Sequence, residues 1–446
     1  MKHLLTTLFI FFTGIYAWGQ NNMGTRYCNY NDLNASKYAP SELDLGHKHV
    51  QVGINSYAWM GNTSFDYKTS KDIYQKGLIQ NQDIATILSK LNKENLFGAG
   101  LDIQLLGIAA QFKTRSEKKL AFSLSVHERS GTSFMFGKNF LMLALKGNKQ
   151  FAGQRVDLGP ASLNLNYLRE YALGAAIPVI DNEEGFGIRA GVRLKYLAGI
   201  GSIYMQQANG SMYTDPEGRF IDLDFNYKVQ TSGINNISLL SPNGRGYGAD
   251  AGITVFINKY LQLSTSILDL GAVTYDKNTT TYERSGQVKY EGLIISRFFG
   301  SDKYSTDTLA QIFDPIKTKG ESYTTPLSTR LVIEGKIKTP RTSTKDDRTY
   351  NSNTIFFTYI QGFQNLPGST SRSFFSIGYN HDFHRVFNGG VLVSAGGYNK
   401  QALGAFFSFK IGQTFKWGFS SDNLTGFIFP DKGKGADLAT NISIAF

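Results

Sequence analysis

Three features are scarce in this chain of 446 residues, and each scarcity excludes a class of structure. Cysteine occurs once, at Cys28, so no disulfide can form within the chain. Proline occurs only 10 times. After the first 19 residues, no segment approaches the roughly 18 consecutive apolar residues that a membrane-spanning helix needs. The chain is therefore neither stapled by internal disulfides nor built as a helical membrane protein.

Aromatic residues and glycine, in contrast, are abundant. Aromatic residues make up 13% of the chain, and there are 47 glycines. The mean hydropathy is −0.23, a value typical of soluble proteins. That average is misleading for a β-barrel, because its strands alternate apolar and polar residues. The composition favours many strands with aromatic girdles over a helical enzyme.

The first residues, MKHLLTTLFIFFTGIYAWGQ, have the form of a signal peptide. Lys2 supplies a positive charge, and an apolar stretch from Leu4 to Tyr16 follows it. Ala17 and Gly19 are small residues at the positions that signal peptidase reads, so we expect cleavage before Gln20. Cys28 lacks a preceding leucine-rich lipoprotein box, and we interpret it as unlipidated. These features predict export.

The formal net charge is +11 and the sequence pI is about 9.3. A basic chain of this kind could bind nucleic acid. Here, however, lysine and arginine are spread along the chain and do not form a cluster. We expect no nucleic-acid partner, and we interpret the charge as suited to anionic lipid headgroups.

Strict alternation of apolar and polar residues recurs along the chain. Four clear stretches are LAFSLSVHER, GIRAGVRLKY, LSTRLVIEGKI and LGAFFSFKIG, which begin at residues 120, 187, 327 and 403. In the third, for example, Leu327, Leu331 and Ile333 oppose Arg330 and Glu334. Several charges on the polar face of one strand favour a membrane barrel with a polar interior over a periplasmic β-sandwich.

The alternation predicts a single transmembrane antiparallel β-barrel of about 14 strands, within a range of 12 to 16, with short helices in its loops. The expected strands are Val50 to Trp59, Gly98 to Phe112, Leu120 to Arg129, Leu163 to Ile177, Phe186 to Met205, Gly248 to Ile257, Leu261 to Leu270, Thr324 to Lys338, Thr354 to Phe363, Ser373 to Asp382, Gly390 to Tyr398, Leu403 to Gly412, Phe415 to Ser421 and Asp437 to Phe446.

The chain ends in LATNISIAF, an amphipathic strand that stops on an aromatic residue. The assembly machinery for outer-membrane barrels reads a last strand of this form. We therefore assign Phe446, Ile444 and Ile442 as the assembly signal, and we expect the protein to reside in the cell outer membrane.

The predicted domains are a signal peptide (1–19), an N-terminal plug or periplasmic segment (20–49) and the barrel (50–446). Ser70 to Asn95 and Asn139 to Gln150 have helical periodicity. RFIDLDFNYKVQ, from Arg219, predicts a ribbon above the membrane or an extra pair of barrel strands. DTLAQIFDPIK, from Asp307, could form a short helix.

Charged residues on the polar faces are the candidate lumen lining. They are Arg129, Glu170, Arg189, Arg193, Lys195, Arg330, Glu334, Lys336 and Lys410. We expect Glu170 to form an ion pair with Arg193 or Lys195. The set is either an anion-preferring conduit or a group of side chains that fill and brace a narrow barrel.

The sequence offers little for metal binding or catalysis. His47 with His49 and His381 with His384 lie in exposed turns without cysteine ligands beside them, whereas a zinc site needs three or four converging ligands. We expect no metal and no cofactor. His127 shares a predicted luminal face with Ser123 and Ser125, but the chain contains neither GxSxG nor HExxH. We expect no enzymatic activity.

The layout resembles known outer-membrane barrels. The chain resembles FadL-type long-chain fatty acid transporters in three features: a signal peptide, an irregular N-terminal stretch, and a series of strands of which the last ends in phenylalanine. YLREYALG, GIRAGVRLKYLAGIG, GADAGITVFI, SILDLGAVTY, TTPLSTRLVIEG and DNLTGFIFP resemble Bacteroidota barrels related to PorV and PorP of type IX secretion. In place of the asparagine–proline–alanine turn of FadL plugs, this chain has Asn34, Ala35 and Ser36.

The resemblance implies two alternative functions. The first is a non-enzymatic accessory component of a surface or type IX secretion-related assembly, with a secretion or surface-lipoprotein partner. The second is a FadL-like transporter or channel for hydrophobic or anionic small molecules. In both cases the expected contacts include outer-membrane lipid and the barrel assembly machinery.

Overall fold

The structure, a computed structural model, describes residues 33–69, 72, 81–115, 118–181, 185–234, 237–291, 315–342, 349–383, 386–412 and 414–446. The predicted signal peptide and Cys28 lie outside these residues. So does His384, and so does most of DTLAQIFDPIK.

The described strands form one antiparallel sheet that closes on itself. Their bounds are β1 Val50–Asn62, β2 Glu94–Lys113, β3 Lys119–Gly137, β4 Arg155–Asp157, β5 Ala161–Asp181, β6 Gly187–Thr214, β7 Ile221–Ser232, β8 Gly244–Phe256, β9 Leu261–Tyr275, β10 Thr279–Tyr290, β11 Ile316–Lys319, β12 Tyr323–Pro326, β13 Arg330–Thr342, β14 Thr349–Gly362, β15 Phe374–Phe383, β16 Phe387–Gly396, β17 Asn399–Ile411, β18 Phe415–Ser421 and β19 Gly435–Ala445.

The closed circuit runs β1-β2-β3-β5-β6-β8-β9-β13-β14-β15-β16-β17-β18-β19 and back to β1. Each of these fourteen strands overlaps one of the predicted strands. The strands β7 and β10 extend the sheet above this circuit and bring the number of described strands with seven or more residues to sixteen; β4, β11 and β12 are shorter. The prediction of a closed antiparallel barrel of about 14 strands, within 12 to 16, is confirmed.

Alternation sorts the side chains between the outer surface and the interior. On β6, Val192 is 43% exposed on the outside, whereas Arg193 and Lys195 are each 4% exposed inside. On β17, Phe407 and Phe409 are likewise exposed. The outward faces of the described strands are predominantly apolar, as they must be for contact with lipid.

Leu327 is an exception to the predicted faces. It was expected on the apolar outer face, but it is buried and precedes β13. Its backbone N–H donates to Gly271 O at 2.9 Å. Leu327 therefore belongs to the loop between β12 and β13 and packs with Leu168, Leu197 and Tyr323.

The first and last strands form the closing seam. Residues 51–61 of β1 pair with residues 435–445 of β19. The N–H of Phe446 donates to Val50 O at 2.8 Å, and the N–H of His49 donates to Phe446 O at 2.7 Å. We call the end of the barrel that contains Val50 and Phe446 the lower end and the opposite one the upper end.

The upper end carries a ribbon. RFIDLDFNYKVQ lies largely in β7, which pairs with the upper part of β6 and along its whole length with β10. The stretch thus forms, with β10, an additional strand pair of the same sheet, which we call the ribbon. Asn243 holds the ribbon to the wall: its Nδ2 donates to Ile200 O at 2.6 Å, and its backbone O accepts from the N–H groups of Asp276 and Lys277.

Two helices cap the upper end, α2 Asn81–Lys90 and α3 Lys138–Lys146; they follow α1 Leu33–Ser36 and precede α4 Thr425–Ile428. α2 lies inside the predicted Ser70 to Asn95 segment, although Glu94 and Asn95 already belong to β2. α3 coincides with most of the Asn139 to Gln150 prediction, and a 3₁₀ turn, Lys149–Phe151, ends it. Apolar side chains of both helices pack around Phe65 and Phe136. No helix in the described part of the chain is long and apolar enough to cross a bilayer.

Residues 33–45 lie in the lumen, and we call them the inner segment. The segment comprises α1, a 3₁₀ turn at Pro40–Glu42 and the residues that follow. Leu33, Tyr38, Ser41 and Leu43 are buried there. The segment contacts β5, β6 and β8 through the 3₁₀ turn.

Candidate functional site

The lumen contains a network of buried charges centred on Asp269. Arg129 binds the Asp269 carboxylate through two hydrogen bonds of 2.9 and 3.0 Å. Lys195 Nζ lies 2.6 Å from Asp269 Oδ1, and Arg330 Nη2 lies 3.6 Å from Oδ2. A bidentate arginine contact fixes geometry as well as charge. Asp269 thus joins side chains from three other strands.

Glu170 and Asp250 extend the network along the wall. Arg193 lies between them, with Nη2 at 2.7 Å from Glu170 Oε1 and Nη1 at 3.4 Å from Asp250 Oδ2. The expected ion pair of Glu170 therefore forms with Arg193, while Lys195 Nζ is 4.0 Å away. Lys195 instead approaches Asp250 Oδ1 at 2.6 Å.

Asp102 connects this network to the inner segment. Lys37 Nζ lies 2.6 Å from Asp102 Oδ2, and His127 Nδ1 lies 3.0 Å from Oδ1. Ser125, which shares the luminal face of His127, accepts a hydrogen bond from Arg193 at 3.1 Å. The histidine is thus paired with a carboxylate, and this serine with an arginine.

A second group of ties holds the inner segment lower in the lumen. Glu42 accepts from Lys336 Nζ at 2.7 Å and from Gln262 Nε2 at 2.8 Å. Lys336 also lies 2.9 Å from Glu334. Asp44 pairs with Arg189 at 2.9 Å. Carboxylates of the inner segment therefore meet cationic side chains on β6 and β13 and an amide side chain on β9.

Two glycines form a flat seat for the inner segment. Gly191 on β6 is paired with Gly252 on β8. A Cβ placed on Gly191 would lie 2.3 Å from the carbonyl carbon of Pro40 and 2.3 Å from the backbone nitrogen of Ser41. Real Cβ atoms do not approach backbone this closely, so Gly191 is required for the present seat.

The other half of the lumen, from β14 to β19, is lined mainly by uncharged side chains. Thr358, Asn380, Asn388, Ser408 and Asn441 are buried there. An apolar cluster lies beside them, formed by Tyr38 of the inner segment with Leu268, Val332, Phe356, Ile360, Phe374, Leu392 and Phe406. Tyr38 therefore anchors the inner segment to the uncharged half by apolar packing.

A cavity of ≈ 60 Å³ remains beside the charge network. Lys37, Arg129 and Arg330 contribute cationic side chains to it, and Trp59 and Leu168 contribute apolar walls. A volume of this size admits water or a very small ligand, because one water occupies about 30 Å³ in the liquid.

Eight of the nine predicted lumen residues meet in the two networks. The ninth, Lys410, is half-buried near the lower end of β17, where it is paired in register with Lys416 of β18. The residues assigned to the assembly signal lie on the outward face of β19. Ile442 is half-exposed there, whereas Ile444 and Phe446 are exposed, Phe446 by 63%.

Sequence reasoning missed Asp269 and the acidic groups of the inner segment. Leu268 and Asp269 are both buried, because a register shift interrupts the pairing of β8 with β9 and Asp269 adopts a positive φ of 56°. Strict alternation would have placed Asp269 outside. The sequence signal for this irregularity is the run LDLG, since Gly271 also has a positive φ. Asp269, Glu42 and Asp44 largely offset the expected excess of positive charge.

No group of three or more histidine, cysteine, aspartate and glutamate side chains with the geometry for a metal ion occurs among the described residues. His47 and His49 are exposed next to the lower end of β1, and His381 lies on β15.

A family model described as a family of unknown function (DUF5723) matches residues 44–422. No curated protein matches the chain.

Several solved structures resemble the chain at low identity. A monoaromatic hydrocarbon channel, the TodX deltaS2S3 mutant, is 9% identical with a TM-score of 0.45, and the match covers 92% of this chain and 94% of that one. The toluene transporter TodX of P. putida is 10% identical with a TM-score of 0.42, covering 97% of each chain. The translocator domain of the autotransporter NalP from Neisseria meningitidis is 11% identical with a TM-score of 0.32, covering 93% of each chain.

Proposed function

The chain belongs to a family of unknown function, DUF5723, and from this premise we propose that it is a non-enzymatic outer-membrane barrel that serves as an interaction component of a surface assembly. This assembly would be related to type IX secretion or would contain a surface lipoprotein, as the sequence resemblance implies. The filled lumen is the observation that carries this proposal.

The apolar outer surface supports residence in a membrane. Exposed apolar side chains occur around the wall, for example Leu124 on β3, Val192 on β6, Ile267 on β9 and Val393 on β16. Exposed apolar surface of this extent is unfavourable in water and favourable against lipid.

The assembly signal gives a direct test of membrane residence. Deleting Phe446 removes three backbone hydrogen bonds of the seam and the terminal aromatic side chain. We expect several-fold less heat-modifiable barrel in the outer-membrane fraction, and wild-type levels of such barrel would contradict the assignment.

The lumen supports an interaction role because its buried charged groups are already paired with one another. The inner segment sits on Gly191 and is tied by Lys37, Glu42 and Asp44. A conduit would need to break several buried ion pairs, and breaking one buried pair costs about 3–5 kcal/mol. A stable partner-binding barrel needs no such opening.

The upper ribbon offers a surface for a partner. β7 and β10 extend beyond the upper ends of β8 and β9, two strands of the closed circuit. β8 begins directly after Asn243, and the last residue of β9, Tyr275, is paired with Gly244. Asp224, Asn226 and Lys228 are exposed along β7. A ribbon of this kind presents polar groups away from the bilayer, where a soluble or lipid-anchored partner could reach them.

Site-specific crosslinking tests the partner. Because Cys28 is the only native cysteine, a Cys28→Ser background allows one cysteine-linked photocrosslinker at Asn226 on the ribbon. The matched control carries it at Asn258, in the exposed turn between β8 and β9 at the lower end. We expect one defined adduct from the Asn226 position in cells and none from Asn258. Equal adduct patterns at both positions, or none at either, would contradict a ribbon-bound partner.

Conductance in planar bilayers tests the closed lumen. We expect no steady conductance from the wild-type barrel. Gly191→Ala should displace Pro40 and Ser41 and produce measurable openings. Gly201→Ala on the same strand is the control, because a Cβ there would meet its neighbours at 3.7 Å or more. Steady wild-type conductance would favour a channel.

A transporter is the second candidate, and the cavity beside Lys37, Arg129 and Arg330 favours it. Cationic side chains next to Trp59 and Leu168 suit the carboxylate of an anion, and the apolar body of a fatty acid would need the inner segment to be displaced, because the cavity has a volume of only ≈ 60 Å³. A fatty acid that co-purifies with the wild-type barrel and is lost from Arg330→Gln would support transport. Purification of a ligand-free barrel would favour the interaction role.

A further inference from the structure

The cavity beside the charge network is enclosed by several separate elements of the fold. Three cationic side chains reach it, Arg129 from β3, Arg330 from β13 and Lys37 from the inner segment. Two loops of the upper end also border it, through Leu327, Ser328, Pro367 and Gly368. The cavity therefore lies where the inner segment, the wall and the upper loops meet.

The network around this cavity has one positive charge in excess. Among the described residues, and with His127 neutral, it joins five cations to four carboxylates: Lys37, Arg129, Arg193, Lys195 and Arg330 to Asp102, Glu170, Asp250 and Asp269. Asp102 is the one carboxylate among the described residues that line the cavity. Asp422 and Asp437 are also buried, but neither borders it. A buried charge without a counter-charge is unfavourable.

Two of the cations have hydrogen-bond donors that the described residues do not use. Arg330 is only 8% exposed. Its Nη1 donates to Gly368 O at 3.1 Å, but its Nη2 lies 3.6 Å from Asp269 Oδ2, too far for a hydrogen bond. Lys37 Nζ carries three donors and contacts one described carboxylate, that of Asp102. Buried donors without an acceptor are costly, so both side chains favour an acceptor in the cavity.

An acceptor that meets these requirements is small and negatively charged. The cavity volume of ≈ 60 Å³ compares with about 30 Å³ for one water molecule in the liquid. Water fits this volume but leaves the charge excess in place, whereas an organic acid with a long apolar body does not fit. Chloride carries one negative charge, accepts hydrogen bonds from any direction and is only slightly larger than water.

We propose that the cavity binds one small monovalent inorganic anion, chloride or an ion of similar size, between Lys37, Arg129 and Arg330. The anion offsets the excess charge of the network and accepts the unused donors of Arg330 and Lys37. Because these two side chains belong to β13 and to the inner segment, the anion joins the inner segment to the wall. It is thus a fixed part of the closed lumen, and the proposal does not depend on the ribbon partner.

Thermal unfolding of the full-length barrel in detergent tests the site, with chloride as the probe. Sodium chloride replaces sodium gluconate at constant ionic strength, so general screening is unchanged. A ligand that binds only the folded state raises the unfolding temperature. We expect this temperature to rise with chloride concentration, bromide to act like chloride, and the larger, divalent sulfate to have no such effect.

Arg330→Gln removes the guanidinium that borders the cavity and should weaken chloride binding at least tenfold. Arg189→Gln is the matched control, because Arg189 pairs with Asp44 and does not line the cavity. Its unfolding temperature should be lower at every chloride concentration, while its chloride affinity stays that of the wild type. Lys37→Gln, which keeps both arginines of the cavity, is a second variant and should also weaken binding.

Chloride-35 NMR line broadening that bromide reverses measures binding directly in the folded barrel, and heat-modifiable mobility verifies the folding of each variant. Equal unfolding temperatures of the wild type in chloride and gluconate would overturn the proposal. So would a wild-type chloride response in folded Arg330→Gln and Lys37→Gln, since it would indicate a general salt effect. Because these assays use purified protein, their failure would leave the results on the ribbon partner and on conductance unaffected.

Discussion

The two halves of the lumen are built on different physical principles. The half formed by β2 to β13 holds its side chains by ion pairs among Arg129, Glu170, Arg193, Lys195 and Asp269. The half formed by β14 to β19 uses uncharged polar side chains and the apolar cluster around Phe356 and Phe406.

The inner segment matches this division. Its charged side chains, Lys37, Glu42 and Asp44, point toward strands of the charged half. Tyr38 packs into the apolar cluster, which lies mostly in the uncharged half. Directional ion pairs set the position of the segment, and apolar burial supplies attraction that does not depend on orientation. Ion pairs and apolar packing together therefore hold the inner segment in one position.

The largest effect should come from Asp269→Asn. Asparagine tolerates the positive φ at this position, so the substitution removes charge with little change of backbone. Arg129, Lys195 and Arg330 then lose their common partner. We expect the free energy of unfolding to fall by about 3–5 kcal/mol. Urea unfolding in lipid vesicles measures it. A loss below about 1 kcal/mol would mean that the network does not stabilise the barrel.

Leu392→Ala probes the uncharged half. Leu392 is buried in the cluster with Phe356 and Phe406, and its truncation should cost about 2–5 kcal/mol through lost burial and a cavity. Added salt should not change this loss appreciably. If the stability loss caused by Leu392→Ala depended strongly on salt concentration, the distinction between the two halves of the lumen would not hold.

The outer wall should not share the difference between the halves. Val192→Arg in the charged half and Val393→Arg in the uncharged half both place a cation on the apolar outer face. Each should cost about 2–4 kcal/mol if it lies near the bilayer midplane, and less near an interface. Folding yield into vesicles measures this cost. Tolerance of both variants would indicate that these faces do not meet lipid.

A pair of serines gives the smallest and most direct comparison. Ser125 accepts a hydrogen bond from Arg193, whereas Ser408 donates to Asn388. Ser125→Ala should cost about 1.5–3 kcal/mol, since its partner is charged, and Ser408→Ala about 1 kcal/mol. Urea unfolding of both variants in the same vesicles provides the measurement, and a reversed order would argue that the charged half is more solvated than its burial indicates.

Much of the fold could be predicted because alternation is a local property. The stretch GIRAGVRLKY defines both faces of β6 by itself, and Arg193 and Lys195 are buried as that pattern requires. The predicted bounds failed where strands continue above the ring. β6 extends to Thr214, beyond the predicted Met205, because β7 supplies a pairing partner there.

The charge network was predictable only in part. Glu170 and Arg193 follow from parity, but Asp269 is inward because of a bulge, which no periodic pattern encodes. The ties of Glu42 and Asp44 join residues far apart in sequence, such as Glu42 and Lys336. The seat at Gly191 follows from a close backbone approach that becomes visible only in three dimensions.

The closing seam has a consequence for the order of assembly. The inner segment directly precedes β1, and β1 pairs with β19, the last strand made. Lys37 and Glu42 point to opposite parts of a complete ring, through Asp102 on β2 and Lys336 on β13. The inner segment, which is made before the strands, is thus enclosed by a ring that the last described strand, β19, closes. A nascent sheet could form its ion pairs with this segment as it curves. The final pairing of β1 with β19 would then enclose the segment in the lumen.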